Sequence, residues 1–392
     1  MNILYLANSM PYDTVRHAGG KTFNYYVSNI SSNKDNTVKV IGICKQEELK
    51  ELRSKGGNVE LIPVLTKGSF SLNFQRIAFD IVGWIFGLKK CDKSFYKYHQ
   101  IRKELNSLMF EPDIIVLEWT NMVLLYKTVK RRFPEAKLVA SEHDVTYLGL
   151  QRKGLSAKNL ARAKKQELEA LHSCDAVITQ NIKDKNLLIQ DGIPEDKIYV
   201  IVPYYHNMDY IERKEINHDI LFWGAMYRPE NYEAAIWFIE NVMPLLEDLD
   251  VRFVVAGNRP PEKLKRYASS RVVITGFVEN ETPLFESSMC FVSPLLTGAG
   301  IKVKVIEALS ARIPILTNDI GIEGIPAVNR ESYFYCKKPE DYANVIRDIY
   351  AKKIDTDAFA KKQHEVIEKC FDLNSAFEQY MQVLLCLKGK IK

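Results

Sequence analysis

Short, almost wholly apolar runs alternate with longer amphipathic segments along the entire chain. In the first half the runs are Ile3 to Ala7, Val38 to Ile43, Val59 to Val64, Ile114 to Leu117, Leu138 to Ala140, Ala176 to Thr179 and Tyr199 to Val202. A second set comprises Ile220 to Trp223, Val251 to Ala256, Val272 to Thr275, Met289 to Val292 and Ile315 to Thr317. Runs without polar alternation suit strands buried on both faces of a parallel sheet. Between them lie helical patterns such as Phe23, Tyr26, Val27 and Ile30, which share one face at i, i+3, i+4 and i+7. The pattern predicts an α/β chain of two doubly wound, Rossmann-like units in tandem.

The length of 392 residues exceeds one ordinary core and fits two. The polar stretch Pro203 to Asp219, opened by a proline and without clear period, reads as the join. The expected division is an N-terminal domain over 1–205, joined by a C-terminal helix at 374–392, and a second domain over 206–373. A cleft between two such halves is the default ligand site. No repeat of 20 to 50 residues and no low-complexity tract interrupts the pattern.

Charge refines this picture. The net +5 divides unevenly: residues 1–205 hold 30 Lys+Arg and 22 Asp+Glu (+8), leaving 54−30=24 basic and 49−22=27 acidic residues (−3). The basic residues form no recognised nucleic-acid module, so no nucleic acid is expected as partner. No run reaches the roughly 20 apolar residues that span a bilayer, and the start lacks the basic flank of a signal peptide. The expected location is the cytoplasm. The seven cysteines include no Cys-x-x-Cys pair and read as buried, reduced thiols. The segment Phe70 to Lys90, with Ile81 to Phe86 unbroken and Lys89, Lys90 and Lys93 alongside, is either a core helix or one lying in an anionic membrane interface.

Two glycine segments carry candidate chemistry. Ala18-Gly19-Gly20-Lys21-Thr22 lacks the earlier glycine of a P-loop, since that position is Val15. It reads as a glycine turn opening a helix whose amides can meet an anion. The segment from Thr297 to Gly324 leads through Gly298, Ala299, Gly300, Ile301 and Lys302 into a helix with Ile301, Val305, Ala308 and Leu309 as its apolar stripe. Lys304 and Glu307 stand about 60° apart on an adjoining face. Cations at a helix start oppose the macrodipole unless an anion sits there. Amides and lysines for a diphosphate, and a carboxylate for ribose hydroxyls, are the reading.

The chain resembles the family-4 retaining glycosyltransferases of the GT-B fold, the group 1 type. The resemblance rests on Gly19-Gly20, Glu142-His143-Asp144, Cys174 to Thr179, Phe222 to Asn231, Val254 to Asn258, Ile274 to Glu279 and Gly298 to Gly324, in family order over nearly the whole chain. It departs at Ala299, where the family has the first of two glutamates, and at Ala225 and Asn231, where it commonly has Arg and Lys. The resemblance implies two Rossmann-like domains facing across a cleft. It implies a nucleoside-diphosphate-sugar donor held by the second domain, with Phe277 and Val278 at the base and Arg228, Lys302 or Lys304 at the phosphates. His143 then faces the donor sugar, its tautomer fixed by Glu142 or Asp144. Transfer with retention, by same-face substitution, goes to a glycan or lipid-linked acceptor in polysaccharide or lipid-linked glycan biosynthesis. No cofactor is implied, and metal independence is expected. A nucleotide-sugar epimerase of the same fold and a non-catalytic, glycosyltransferase-like subunit share these features.

Overall fold

The computed structural model describes residues 1–15, 17–52, 58–67, 70–85 and 94–389. The chain divides into two compact units, Met1–Tyr204 with Leu373–Lys392, and Tyr205–Asp372.

In the first unit the described strands are β1 (Asn2–Ala7), β2 (Thr37–Lys45), β3 (Val59–Lys67), β4 (Ile114–Glu118), β5 (Lys137–Glu142), β6 (Ala176–Thr179) and β7 (Ile198–Val200). They form one parallel sheet in the order β3-β2-β1-β4-β5-β6-β7. Residues 3–7 and 114–117 are buried at every position, as their unbroken apolar character requires. The chain winds outward from β1 to one edge, then returns beside β1 as β4. That reversal leaves a crevice at the carboxyl ends of β1 and β4, where doubly wound sheets take ligands.

The helix Leu373–Lys388 completes this unit although it comes last in the chain. Its Ala376, Tyr380, Val383, Leu384 and Leu387 share one core with Ile3, Tyr5, Phe23, Tyr26 and Val27. Tyr380 stacks on Tyr26 at 4.7 Å, and its hydroxyl lies 3.1 Å from that of Tyr5.

The second unit contains β8 (Asp219–Trp223), β9 (Arg252–Ala256), β10 (Val272–Gly276), β11 (Cys290–Ser293), β12 (Ile315–Thr317) and β13 (Phe334–Tyr335). The order β10-β9-β8-β11-β12-β13 repeats the reversal, now between β8 and β11. Strand β13 is absent from the sequence reading because two residues have no period to detect.

Three expectations can be set against the structure. The stretch 203–219 does hold the division between the units, at Tyr204/Tyr205, but it is not polar throughout: Tyr205, Met208 and Ile211 are buried. The Met208 amide donates to Ser310 Oγ at 3.0 Å, and Arg312 donates to the carbonyls of Asp209 and Ile211. The cysteines are not uniformly buried, because Cys386 is exposed on the outer face of its helix. Among the described residues all are free thiols, and Cys91 lies outside them. The segment 70–90 is described only to residue 85, where Phe70–Ile85 is helical; Lys89, Lys90 and Lys93 lie outside the described residues.

Candidate functional site

In the second unit the carboxyl edge is shaped by two glycines. Gly257, at φ +145, would with any side chain place Cβ 1.6 Å from the Gly224 carbonyl oxygen. Only glycine permits this approach of the turns after β8 and β9. Gly224 is closed from another side, since a Cβ there would lie 3.1 Å from Asn231 Nδ2 and 3.3 Å from Lys304 Nζ.

Lys304 enters in the first turn of the helix Val303–Ser310. Its ammonium donates to Asn231 Oδ1 at 2.5 Å and lies over the Phe222 ring at 4.8 Å from the centroid. Asn231, itself buried, uses Nδ2 to hold the Ala225 carbonyl at 2.9 Å. Burial, and after it the charges of Arg228 and Lys302, pushes the Lys304 ammonium down to about 7. A cation whose near partners are an amide oxygen and an aromatic face is incompletely compensated.

The other two cations lie in different surroundings. Lys302 precedes the helix and turns back onto its own loop, donating to Gly300 O at 2.5 Å and Ala299 O at 3.3 Å. Its ammonium lies 3.6 Å from the buried Glu323 carboxylate. Lys302 therefore braces the loop Gly298–Ile301, in which Gly298 (φ +140) and Gly300 (φ +68) supply the left-handed bends. Arg228 pairs with Glu230 and is half exposed. Glu307 is buried one turn beyond Lys304, where Oε1 accepts the His206 amide at 3.4 Å. Lys304 and Glu307 thus point to different neighbours, and the helix is buried around most of its girth rather than along one stripe. Phe277, exposed, and Val278, half-buried, follow the end of the edge strand β10.

In the first unit the helix Ala18–Ser32 starts one residue earlier than the glycine pair suggests, so Gly19 and Gly20 form its first turn. The Gly20 amide donates to His17 Nδ1 at 2.9 Å, so a side chain caps the helix where an anion was expected. Gly19 faces the end of β5 instead. A Cβ on it would come 3.2 Å from His143 Nδ1 and 3.3 Å from Trp119 Nε1.

His143 lies at the centre of this edge. Its Nε2 is 2.9 Å from Glu118 Oε2, and its Nδ1 is 2.9 Å from Gln180 Nε2. The imidazole stacks on Trp119, with ring centres 4.5 Å apart and planes at 11°. Trp119 carries φ +67, a costly conformation for a bulky residue, immediately after β4. The tautomer is therefore not set by Glu142 or Asp144. Alternation turns Glu142 away from His143, and its Oε2 accepts from Thr120 Oγ1. Burial and the nearby Glu167 hold the Glu142 carboxyl well above the usual range. Glu118, Trp119 and Gln180 escaped the sequence reading. A strand-end carboxylate and a lone glutamine carry no local signal, and backbone strain carries none at all.

Residues 217–352, most of the second unit, match the family Glycosyl transferases group 1. A Klebsiella pneumoniae protein described as an uncharacterized 44.6 kDa protein in the cps region is 27% identical over 134 residues, 31% of this chain and 34% of that relative. The match thus spans about a third of the relative's length. Among solved structures, Anabaena HepE in complex with UDP-glucose superposes with a TM-score of 0.68 at 12% identity, covering 98% of this chain and 100% of that one. An S. aureus TarM variant in complex with fondaparinux, α-GlcNAc-glycerol and UDP gives 0.70 at 10% identity over 98% and 100%. Sucrose-phosphate synthase from Thermosynechococcus elongatus gives 0.69 at 13% over 99% and 100%. Residues 217–352 are thus similar to the group 1 glycosyltransferases, and the whole chain shares the GT-B fold of these solved structures, with two parallel-sheet Rossmann-like units.

Proposed function

We propose that the protein transfers a glycosyl group, with retention of anomeric configuration, from a nucleoside-diphosphate sugar to an acceptor hydroxyl of a glycan or lipid-linked glycan. The observation that carries this reading is Lys304: a desolvated ammonium facing one amide oxygen, at the head of a helix on the ligand-binding edge of the family-matched unit. Departure of a nucleoside diphosphate builds negative charge on its phosphate oxygens. A cation and helix amides fixed in advance stabilise that charge without reorganising. Lys302 contributes by holding the loop Gly298–Ile301, so its role is to shape the amide cradle. Arg228, half exposed and paired with Glu230, is a second cation for the outer phosphate. Glu307 takes ribose hydroxyls, Phe277 and Val278 take the base, and Gly19 and His143 are the first unit's contribution to the reaction.

UDP is the first nucleotide to try, since HepE and TarM were solved with it. A thermal-shift series over nucleoside diphosphates and their sugars tests binding, because a ligand stabilises the fold in proportion to its affinity. Product NMR then reads the anomeric configuration, and assay in chelator reads metal independence. Absence of any shift and of any turnover would sink the reading in favour of a non-catalytic subunit. Release of an epimeric free sugar from donor alone would replace it with an epimerase.

Association with an anionic membrane belongs to the same proposal. In the helix Phe70–Ile85, Phe74, Ile77, Ile81 and Val82 expose an apolar stripe at i, i+3, i+7 and i+8. No helix of the described residues is long and apolar enough to cross a membrane. Flotation with phosphatidylglycerol vesicles should be lost in a Phe74→Ser/Ile77→Ser variant, and unchanged flotation would remove the membrane from the proposal.

A further inference from the structure

We infer that Glu118 is a positioning residue that fixes His143 as the tautomer protonated on Nε2, leaving the Nδ1 lone pair toward Gln180 and Gly19. The inference deepens the proposed transfer and rests on it for its meaning in catalysis. Its geometric part stands within the first unit alone.

Glu118 ends β4 and is buried, and its Oε2 is 2.9 Å from His143 Nε2. A carboxylate offers no hydrogen to donate, so Nε2 must carry the proton and Glu118 must accept it. The opposite nitrogen is matched to this choice, because Gln180 places its amide nitrogen 2.9 Å from Nδ1, where an N–H meets a lone pair. The ring cannot rotate out of this arrangement while Trp119 lies flat against it at 4.5 Å. Trp119 is in turn braced by the edge of Phe23 at 5.8 Å and by its own φ of +67. Such strain persists only where the surroundings over-determine it.

The absence of a side chain at residue 19 gives the arrangement a use. A Cβ there would crowd Nδ1 at 3.2 Å, so glycine leaves that side of the imidazole clear. A sugar hydroxyl arriving there can replace the Gln180 N–H as the donor to Nδ1. His143 then acts as an acceptor of defined direction, and Glu118 acts only through it. No proton need pass from Nε2 to Glu118.

The test is Glu118→Gln, which keeps the shape of the side chain but can donate as well as accept. Long-range nitrogen–proton NMR of histidine-labelled protein, assigned by His143→Asn, reads the tautomer directly. The wild type should show the proton on Nε2, and the variant a mixture or the reverse form. With UDP-sugar donor, kcat should fall roughly tenfold to a hundredfold with little change in KM, since orientation rather than binding is lost. Glu118→Asp, which retains a carboxylate, should keep the wild-type tautomer. A wild-type proton on Nδ1, or an unchanged tautomer in Glu118→Gln, overturns the inference. If no donor is turned over at all, the proposed transfer fails while the NMR result still decides the role of Glu118.

Discussion

Removing the positive charge of Lys304, with Lys304→Met, should abolish a proton uptake that accompanies nucleotide binding. An ordinary lysine holds its proton to 10.5, whereas burial and the charges of Arg228 and Lys302 bring Lys304 to about 7. That difference makes the ammonium less favourable by on the order of 5 kcal/mol. Glu230 and Glu307 are the facing anions and offset only part of it. A phosphate charge arriving at about 4 Å, in surroundings of effective dielectric near 20, returns about 4 kcal/mol. The bound state therefore keeps the proton well above neutrality. In the free protein at pH 8 only about a tenth of the molecules carry it, so UDP binding should take up close to ~0.9 proton there and ~0.1 at pH 6. The measurement is calorimetric titration with UDP in two buffers of different ionisation enthalpy at each pH. Subtracting the Lys304→Met result cancels the titration of the nucleotide itself. Equal uptake in the two proteins at pH 8 would refute the reasoning. Stability without ligand provides an independent check. The unfolded chain holds this proton to 10.5 and the folded chain only to about 7, so folding should strengthen as pH rises through that window.

Other outcomes follow from separate parts of the two units. Glu307→Gln should weaken UDP binding by roughly tenfold to a hundredfold through the loss of charged hydrogen bonds to ribose, measured by the same titration. Gly257→Ala forces a Cβ onto the Gly224 carbonyl, so the urea midpoint should drop by the equivalent of about 3 kcal/mol or more. Glu167 is raised to about 8 and Glu142 is held high beside it, so the folded chain keeps protons that unfolded glutamates release near 4.5. Stability should therefore fall between pH 5 and 8, by up to about 1.4 kcal/mol per pH unit for each proton, and Glu142→Gln should flatten the dependence of Tm on pH.

Most of the fold was legible because strands buried on both faces announce themselves as unbroken apolar runs, whatever their partners. Strand ends shifted by no more than three residues, and the two-residue β13 was lost because so short an edge has no pattern. The candidate site was legible only where its chemistry is local. The glycine loop, Lys304 and Glu307 lie within a dozen residues of one another, so spacing alone brings them to one helix. The environment of His143 is different in kind. Glu118 and Gln180 stand 25 and 37 residues away in sequence and meet the imidazole only because parallel pairing aligns the ends of β4, β5 and β6. Adjacent Glu142 was the obvious partner in the sequence, and alternation along β5 turned it away. Lys302 is the complementary case. A cation in a glycine loop suggests an external anion, but the loop's own carbonyls were nearer.

The helix Leu373–Lys388 bears on how the chain comes into being. The first unit is made almost entirely from residues synthesised before the second, yet its core lacks Tyr380, Leu384 and Leu387 until the whole of Tyr205–Asp372 has been translated. At typical synthesis rates of ~5–20 residues per second, that interval is on the order of 10–30 s. During it, the apolar face formed by Ile3, Tyr5, Tyr26 and Val27 stays uncovered on the ribosome, while the second unit, continuous in sequence, is free to fold. The later-made unit should acquire protease resistance first, and the N-terminal half of the nascent chain should be the part that holds chaperones longest.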